Sequence, residues 1–233
     1  MASSPTSSSS CSSSSSDLSR RYSFADVRLS KMTEALVFSW NHFLCPSGAL
    51  AHELQFAHLH SSRRLAQLHR SCALLDPVIV STLVEARRWG YLYVLVESNL
   101  EEFQATLATF FPRTAQLVQC EASHIQLACA LKPASLEFTY EHLLYSLCTK
   151  SARLQRSTVS LTVFGPDELR HASLTIARAL PSVVPKAIRT ADAAPSFAQV
   201  HDRLRMVRAH LEGIVLHDAP QLRPMARPRT VCL

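Results

Sequence analysis

Tyr91-Leu92-Tyr93-Val94-Leu95-Val96 is short, β-branched and aromatic, puts Leu92, Val94 and Val96 on one side, and predicts a strand at the head of the stretch 91–165. Ser98 stands three residues before Glu101, the spacing of a capping box. Leu100, Phe103, Leu107 and Phe110 follow at helical intervals, so a helix is expected over 99–111, ended by Pro112. Segments 115–121 and 124–131 predict two strands across a short turn. The second alternates Ile125, Leu127, Cys129 and Leu131 with His124, Gln126, Ala128 and Ala130. Tyr140, Leu143, Leu144, Leu147 and Leu154 predict a helix over 137–154, and Val159, Leu161 and Val163 predict a last strand over 158–164 before Gly165-Pro166. The order βαββαβ is that of a ferredoxin-like unit in the α+β class. One antiparallel-rich sheet is expected, with Leu92, Val94, Ile125, Leu127, Leu161 and Val163 inward and both helices on that same face.

Outward from this unit, residues 24–90 read as helical. Met32, Leu36, Trp40, Phe43 and Leu44 mark a helix over 30–44, and Leu50, Leu54, Ala57, Leu65, Leu68 and Cys72 mark a second over 47–75. A third has Asp76 as N-cap, Pro77 at its first position, Arg87 and Arg88 in its last turn and Gly90 beyond. Residues 166–216 hold the C-terminal helices. One opens at Pro166-Asp167-Glu168 and runs to Leu180, with 172–177 readable as a strand instead. Residues 181–195 read as a linker, and Phe197, Val200, Leu204, Val207, Leu211 and Ile214 form the stripe of the last helix. Both ends are tails: 1–23, nearly all serine from Ser3 to Ser16, cannot bury apolar surface, and 217–233 is rich in proline and arginine.

The chain has 233 residues, of which 47% are hydrophobic, enough for a packed core. Its apolar runs are broken by Ser81-Thr82 or Glu97, so no membrane-spanning helix and a soluble protein are expected. Without an apolar leader in this sequence the cytoplasm or nucleus and reduced thiols are expected, while the Ser-rich start also suits organellar import. Four lysines against 20 arginines point to GC-rich or overlapping coding, as in a compact viral genome. Gly48, Gly90, Gly165 and Gly213 are isolated, so no glycine-rich phosphate cradle is available. His-Glu-x-x-His and Gly-x-Ser-x-Gly are absent from the sequence. Cys45, His52, His58, His60 and His69 share one stretch without paired metal-ligand spacing. These features predict a non-enzymatic protein with no cofactor and no metal.

Net charge +6, carried by arginine, favours an anionic partner. Arg87 and Arg88 lead into the first strand, and Lys150, Arg153 and Arg156 leave the second helix, so the expected fold brings both groups to the sheet margin. With Leu92-Tyr93-Val94 on its first strand, the stretch 91–165 resembles an RNA-recognition motif. That resemblance implies that Tyr93 lies on an open sheet face and stacks a base. The same face offers Leu95, Ala128, Ala130 and Phe164, which also suits cover by the terminal helices or by a second subunit. Two functions are therefore expected in order: regulation through a protein partner or homo-oligomer, and RNA or DNA binding through Arg87, Arg88, Tyr93, Lys150, Arg153 and Arg156. Arg20-Arg21-Tyr22-Ser23 has the spacing of a basophilic kinase site, which makes Ser23 the expected phosphoacceptor.

Overall fold

The computed structural model describes residues 32–60, 62–129, 135–150, 154, 158–190 and 194–217. The chain divides into two units, Met1–Met32 and Thr33–Leu233, and the second holds the fold described below. Strands β1 (Met32–Ser39), β2 (Tyr91–Val96), β3 (Ile125–Cys129), β4 (Thr158–Gly165) and β5 (Val183–Arg189) form one parallel sheet in the order β3-β2-β1-β4-β5. Helices α1 (Ser47–His60), α2 (Ser62–Trp89), α3 (Leu100–Phe110), α4 (Pro112–Gln119), α5 (Leu136–Lys150), α6 (Asp167–Ala179) and α7 (Phe197–Leu216) supply the connections and the final cover.

A mixed helix and strand fold is as expected; the ferredoxin-like arrangement is not, because β2 pairs parallel to β3 and to β1. Parallel neighbours need crossover helices, and these bury both faces of the sheet. One face carries Leu36, Phe38, Leu92, Val94 and Phe164 against α1, α2, α3 and α7. The other carries Ala35, Val37, Tyr93, Leu95, Val159, Leu161 and Val163 against α5 and α6. The expected inward set therefore splits, with Leu92 and Val94 on one face and Leu161 and Val163 on the other. Leu127, expected in the core, is only partly buried on the edge strand β3.

Three elements differ in type from the sequence expectation. Residues 32–39 are the central strand rather than a helix: Ala35-Leu36-Val37-Phe38 is fully buried on both sides, and a two-sided strand reads as a continuous apolar run. Residues 115–121 fall on α4 and a short 3₁₀ turn, Glu121–Ser123, because Pro112 opens a new helix as well as closing α3. Residues 183–189 are strand β5 rather than linker, and Pro185 is tolerated because β5 lies at the sheet edge among the described strands.

Helix boundaries follow local chemistry. Asn99, one residue beyond the expected Ser98, caps α3 by accepting from the Glu102 amide at 2.8 Å. Ser196 and Gln199 form a reciprocal capping box on α7. The helix expected to begin at Asp76 instead runs unbroken from Ser62 to Trp89, with Pro77 inside it. Gly90 follows it as predicted, and a Cβ there would collide with the Glu34 carbonyl oxygen, so only glycine lets this turn close against the start of β1. Ser23, Arg153, Arg156 and the serine tract lie outside the described residues.

Candidate functional site

Strand order reverses between β1 and β4: from β1 the chain builds outward through β2 and β3, then crosses over α5 to β4 on the other side. In open parallel sheets this switch point, at the carboxyl ends of the strands, is where ligands bind. Here the two strand ends meet closely. A Cβ on Gly165 would lie 3.1 Å from the Ser39 Cβ and 2.6 Å from the Leu169 Cδ2, so glycine permits the approach of β4 to β1.

Three side chains from three segments converge at this point. Tyr140 on α5 donates its hydroxyl to Glu97 Oε1 at 2.5 Å, and Ser39 at the end of β1 donates to the same oxygen at 2.7 Å. Ser39 Oγ and the Tyr140 hydroxyl oxygen are 3.0 Å apart. The second Glu97 oxygen accepts from the Asn41 backbone amide at 3.2 Å, and the His42 amide donates to Ser39 Oγ at 3.3 Å. Ser39 and Tyr140 are fully buried. Burial, then the Glu97 charge and the hydrogen bond to it, push the Tyr140 phenol far above the ordinary tyrosine value. It therefore stays protonated and serves as a donor.

An acid just past the second strand is where doubly wound folds hold a ribose hydroxyl, and Glu97 occupies that position. In this chain that carboxylate accepts three hydrogen bonds from the protein's own donors, two on Oε1 and one on Oε2. The first turn after β1, where such folds place glycines, is a π-helical turn over Trp40–Leu44 with Trp40, Phe43 and Leu44 buried. Trp40 packs edge-on against Phe103 and Phe111, with centroids 5.1 and 5.7 Å away. Phe43 packs edge-on against Phe38 and Phe164. Arg203 on α7 fastens this turn from outside by donating to the Phe43 carbonyl at 3.3 Å, with its guanidinium 5.0 Å from the Phe43 ring centroid. Aromatic side chains thus occupy the space that a phosphate cradle needs.

Nucleophiles near the crevice are held in unreactive forms. Cys45 and Cys72 are buried, and burial pushes both thiols up to about 12, so neither is a thiolate at neutral pH. The Ser39 hydroxyl hydrogen points to Glu97, but Ser39 has no exposure to a substrate. Among the described residues no group of three or more histidine, cysteine, aspartate or glutamate side chains is placed to hold a metal. No helix among them is long and apolar enough to cross a membrane.

Of the residues expected at a nucleic-acid face, Arg87, Arg88, Tyr93 and Lys150 are among the described residues. Tyr93 is 3% exposed and packs in the α5 and α6 core, which corrects the expected open face: a parallel sheet covers both sides, so its ring has no room for a base. Arg87 donates to the Gly90 carbonyl at 3.2 Å, Arg88 is exposed beside Glu85, and Lys150 is exposed in the last turn of α5. Sequence reasoning missed Ser39, Glu97 and Tyr140. The available signal was Glu97 directly after an apolar strand, which gains meaning only once 32–39 is read as the strand before it.

Removing the Tyr140 hydroxyl tests how far this network holds the crevice shut. Tyr140→Phe is expected to cost about 1–2 kcal/mol, the worth of a buried charge-assisted hydrogen bond. Urea unfolding with an unchanged m-value reads this out; no loss of stability would mean that packing alone closes the site. No protein-family model, curated protein or solved structure matches this chain.

Proposed function

We propose that this chain is a non-enzymatic regulatory protein that acts by binding protein partners or itself, with the parallel sheet as a rigid frame and the outer helix faces as contact surfaces. The supporting observation is the filled switch point. The place where this architecture takes a cofactor holds Trp40, Phe43 and Leu44, and the Glu97 carboxylate is bonded by Ser39, Tyr140 and the Asn41 amide. Work is then left to the surface, in the cytoplasm or nucleus.

A second reading, nucleic-acid binding, draws on the charge of +6 and on exposed arginines Arg63, Arg64 and Arg70 along α2, with Arg88 near its end. Phosphate contacts by these side chains would make binding fall steeply with salt. Recovery of partners from the native cell with and without nuclease separates the two: protein partners retained after nuclease favour the first, and partners lost with it favour the second. Crevice closure has its own test. Adenine mononucleotides and dinucleotides at saturating concentration are expected to leave the melting temperature unchanged, because a ligand that binds the folded state must raise it. A rise of several degrees that Glu97→Gln abolishes would overturn the non-enzymatic assignment.

A further inference from the structure

Exposed apolar side chains among the described residues include Leu74 on α2 at 70% exposure and Met206 on α7 at 63%. A single exposed apolar side chain is ordinary on a protein surface. Helix α5 is different. Its inner face buries Tyr140, Leu143, Leu144 and Leu147, and its outer face presents Phe138 at 61% and Tyr145 at 50% exposure, with exposed His142 between them and half-buried Thr149 beyond. The Phe138 and His142 rings stack along the helix with centroids 6.4 Å apart.

The intervals 138, 142, 145 and 149 are four, three and four residues. That is the seam spacing of one helix packed along another, with each residue entering a gap between residues of the partner. An extended peptide or a flat surface would not use this period. We propose that α5 is a self-association surface, on which two copies of the chain pair their α5 helices antiparallel about a two-fold axis. The inference rests on the interaction function proposed above and names its surface and occupant.

Size and charge both select a second copy in this orientation. Antiparallel two-fold pairing sets Phe138 opposite Thr149 of the second copy and His142 opposite Tyr145 of the second copy, so the bulky end of the seam meets its small end. A parallel pair would set Phe138 on Phe138. Glu137 and Glu141 lie toward the N-terminal end of α5, and Lys150 lies in its last turn. Antiparallel pairing brings the acidic end of one helix beside the basic end of the other and opposes their dipoles, whereas parallel pairing sets acid beside acid. Phe138, Tyr145 and Thr149 bring no carboxylate, ammonium or guanidinium into the seam.

A 15-residue helix is about 22 Å long. One such pair falls among small interfaces, below about 1,200 Å² in total, so a reversible dimer with a dissociation constant on the order of tens of micromolar is expected.

Sedimentation equilibrium of the full chain across the micromolar range is the test, with circular dichroism confirming that each variant folds. Phe138→Ser with Tyr145→Ser is expected to weaken the dimer at least tenfold. His142→Glu alone and Tyr145→Lys alone should each weaken it, because two-fold pairing brings like charges near the axis. The double variant should associate again, because each new acid then faces a new base across the interface. A monomer at every concentration, a dimer indifferent to these changes, or a double variant no better than the singles overturns the proposal. If the chain stays monomeric but loses a protein partner from its native cell on Phe138→Ser, the interaction function stands and self-association through α5 falls.

Discussion

Phe38→Ala is expected to destabilise the protein by about 3–5 kcal/mol, the range for emptying a fully buried aromatic site. Phe38 is the pivot of the larger core. Its ring stacks on Phe164 with centroids 4.2 Å apart and planes 2° from parallel, and meets Phe43 edge-on at 5.8 Å. These contacts join the two central strands β1 and β4 to the π-helical turn, so truncation loosens three segments together. At about 2–4 °C per kcal/mol for a domain of this size, the melting temperature should fall by on the order of 10 °C. Differential scanning calorimetry decides it. A shift of only a degree or two would mean that the cavity collapses freely, and that the stack does not join the halves of the sheet.

That cluster also shows why the fold was only partly legible. Leu36, Trp40, Phe43 and Leu44 keep helical intervals, yet the first lies on a strand and the others on a tight turn, so the spacing is produced by two elements that happen to share one core. Periodicity cannot separate these cases in a run buried on both sides. Once 32–39 is taken as helix, the central strand is lost, and the remaining strands suggest a smaller antiparallel sheet. By contrast, α7 was legible because one face alone is buried: Val200, Leu204, Val207 and Leu211 are in the core while Arg205, Arg208 and His210 are exposed. Strand β2 was legible from its β-branched and aromatic content. The candidate site was not legible, because Ser39, Glu97 and Tyr140 are far apart in sequence and are joined only by the parallel crossovers.

Asp76→Ala is expected to cost about 2–4 kcal/mol, most of it from donors left without an acceptor. Its sequence context, acid then proline, marks a helix N-cap, and the structure keeps that chemistry but moves it. Asp76 sits inside α2, buried, and its carboxylate accepts from the Arg113 amide at 2.9 Å, the Thr114 amide at 2.9 Å and the Thr114 hydroxyl at 2.6 Å. These are first-turn donors of α4, whose own N-cap, Phe111, makes no side-chain cap bond. Asp76 therefore caps a second helix across the core, fixing α4 to α2 and turning the chain at Phe111 toward the Trp40 contact. Asp76→Asn keeps an acceptor but turns one polar atom into a donor, so about 1–2 kcal/mol is expected. Urea unfolding gives the energies, and hydrogen exchange at Arg113 and Thr114 should quicken in both variants ahead of the rest of α4. If Asn costs as much as Ala, the negative charge at the helix start matters more than the bonds. Unchanged exchange at those two amides would mean that α4 is held by packing alone, and that Asp76 does not cap it.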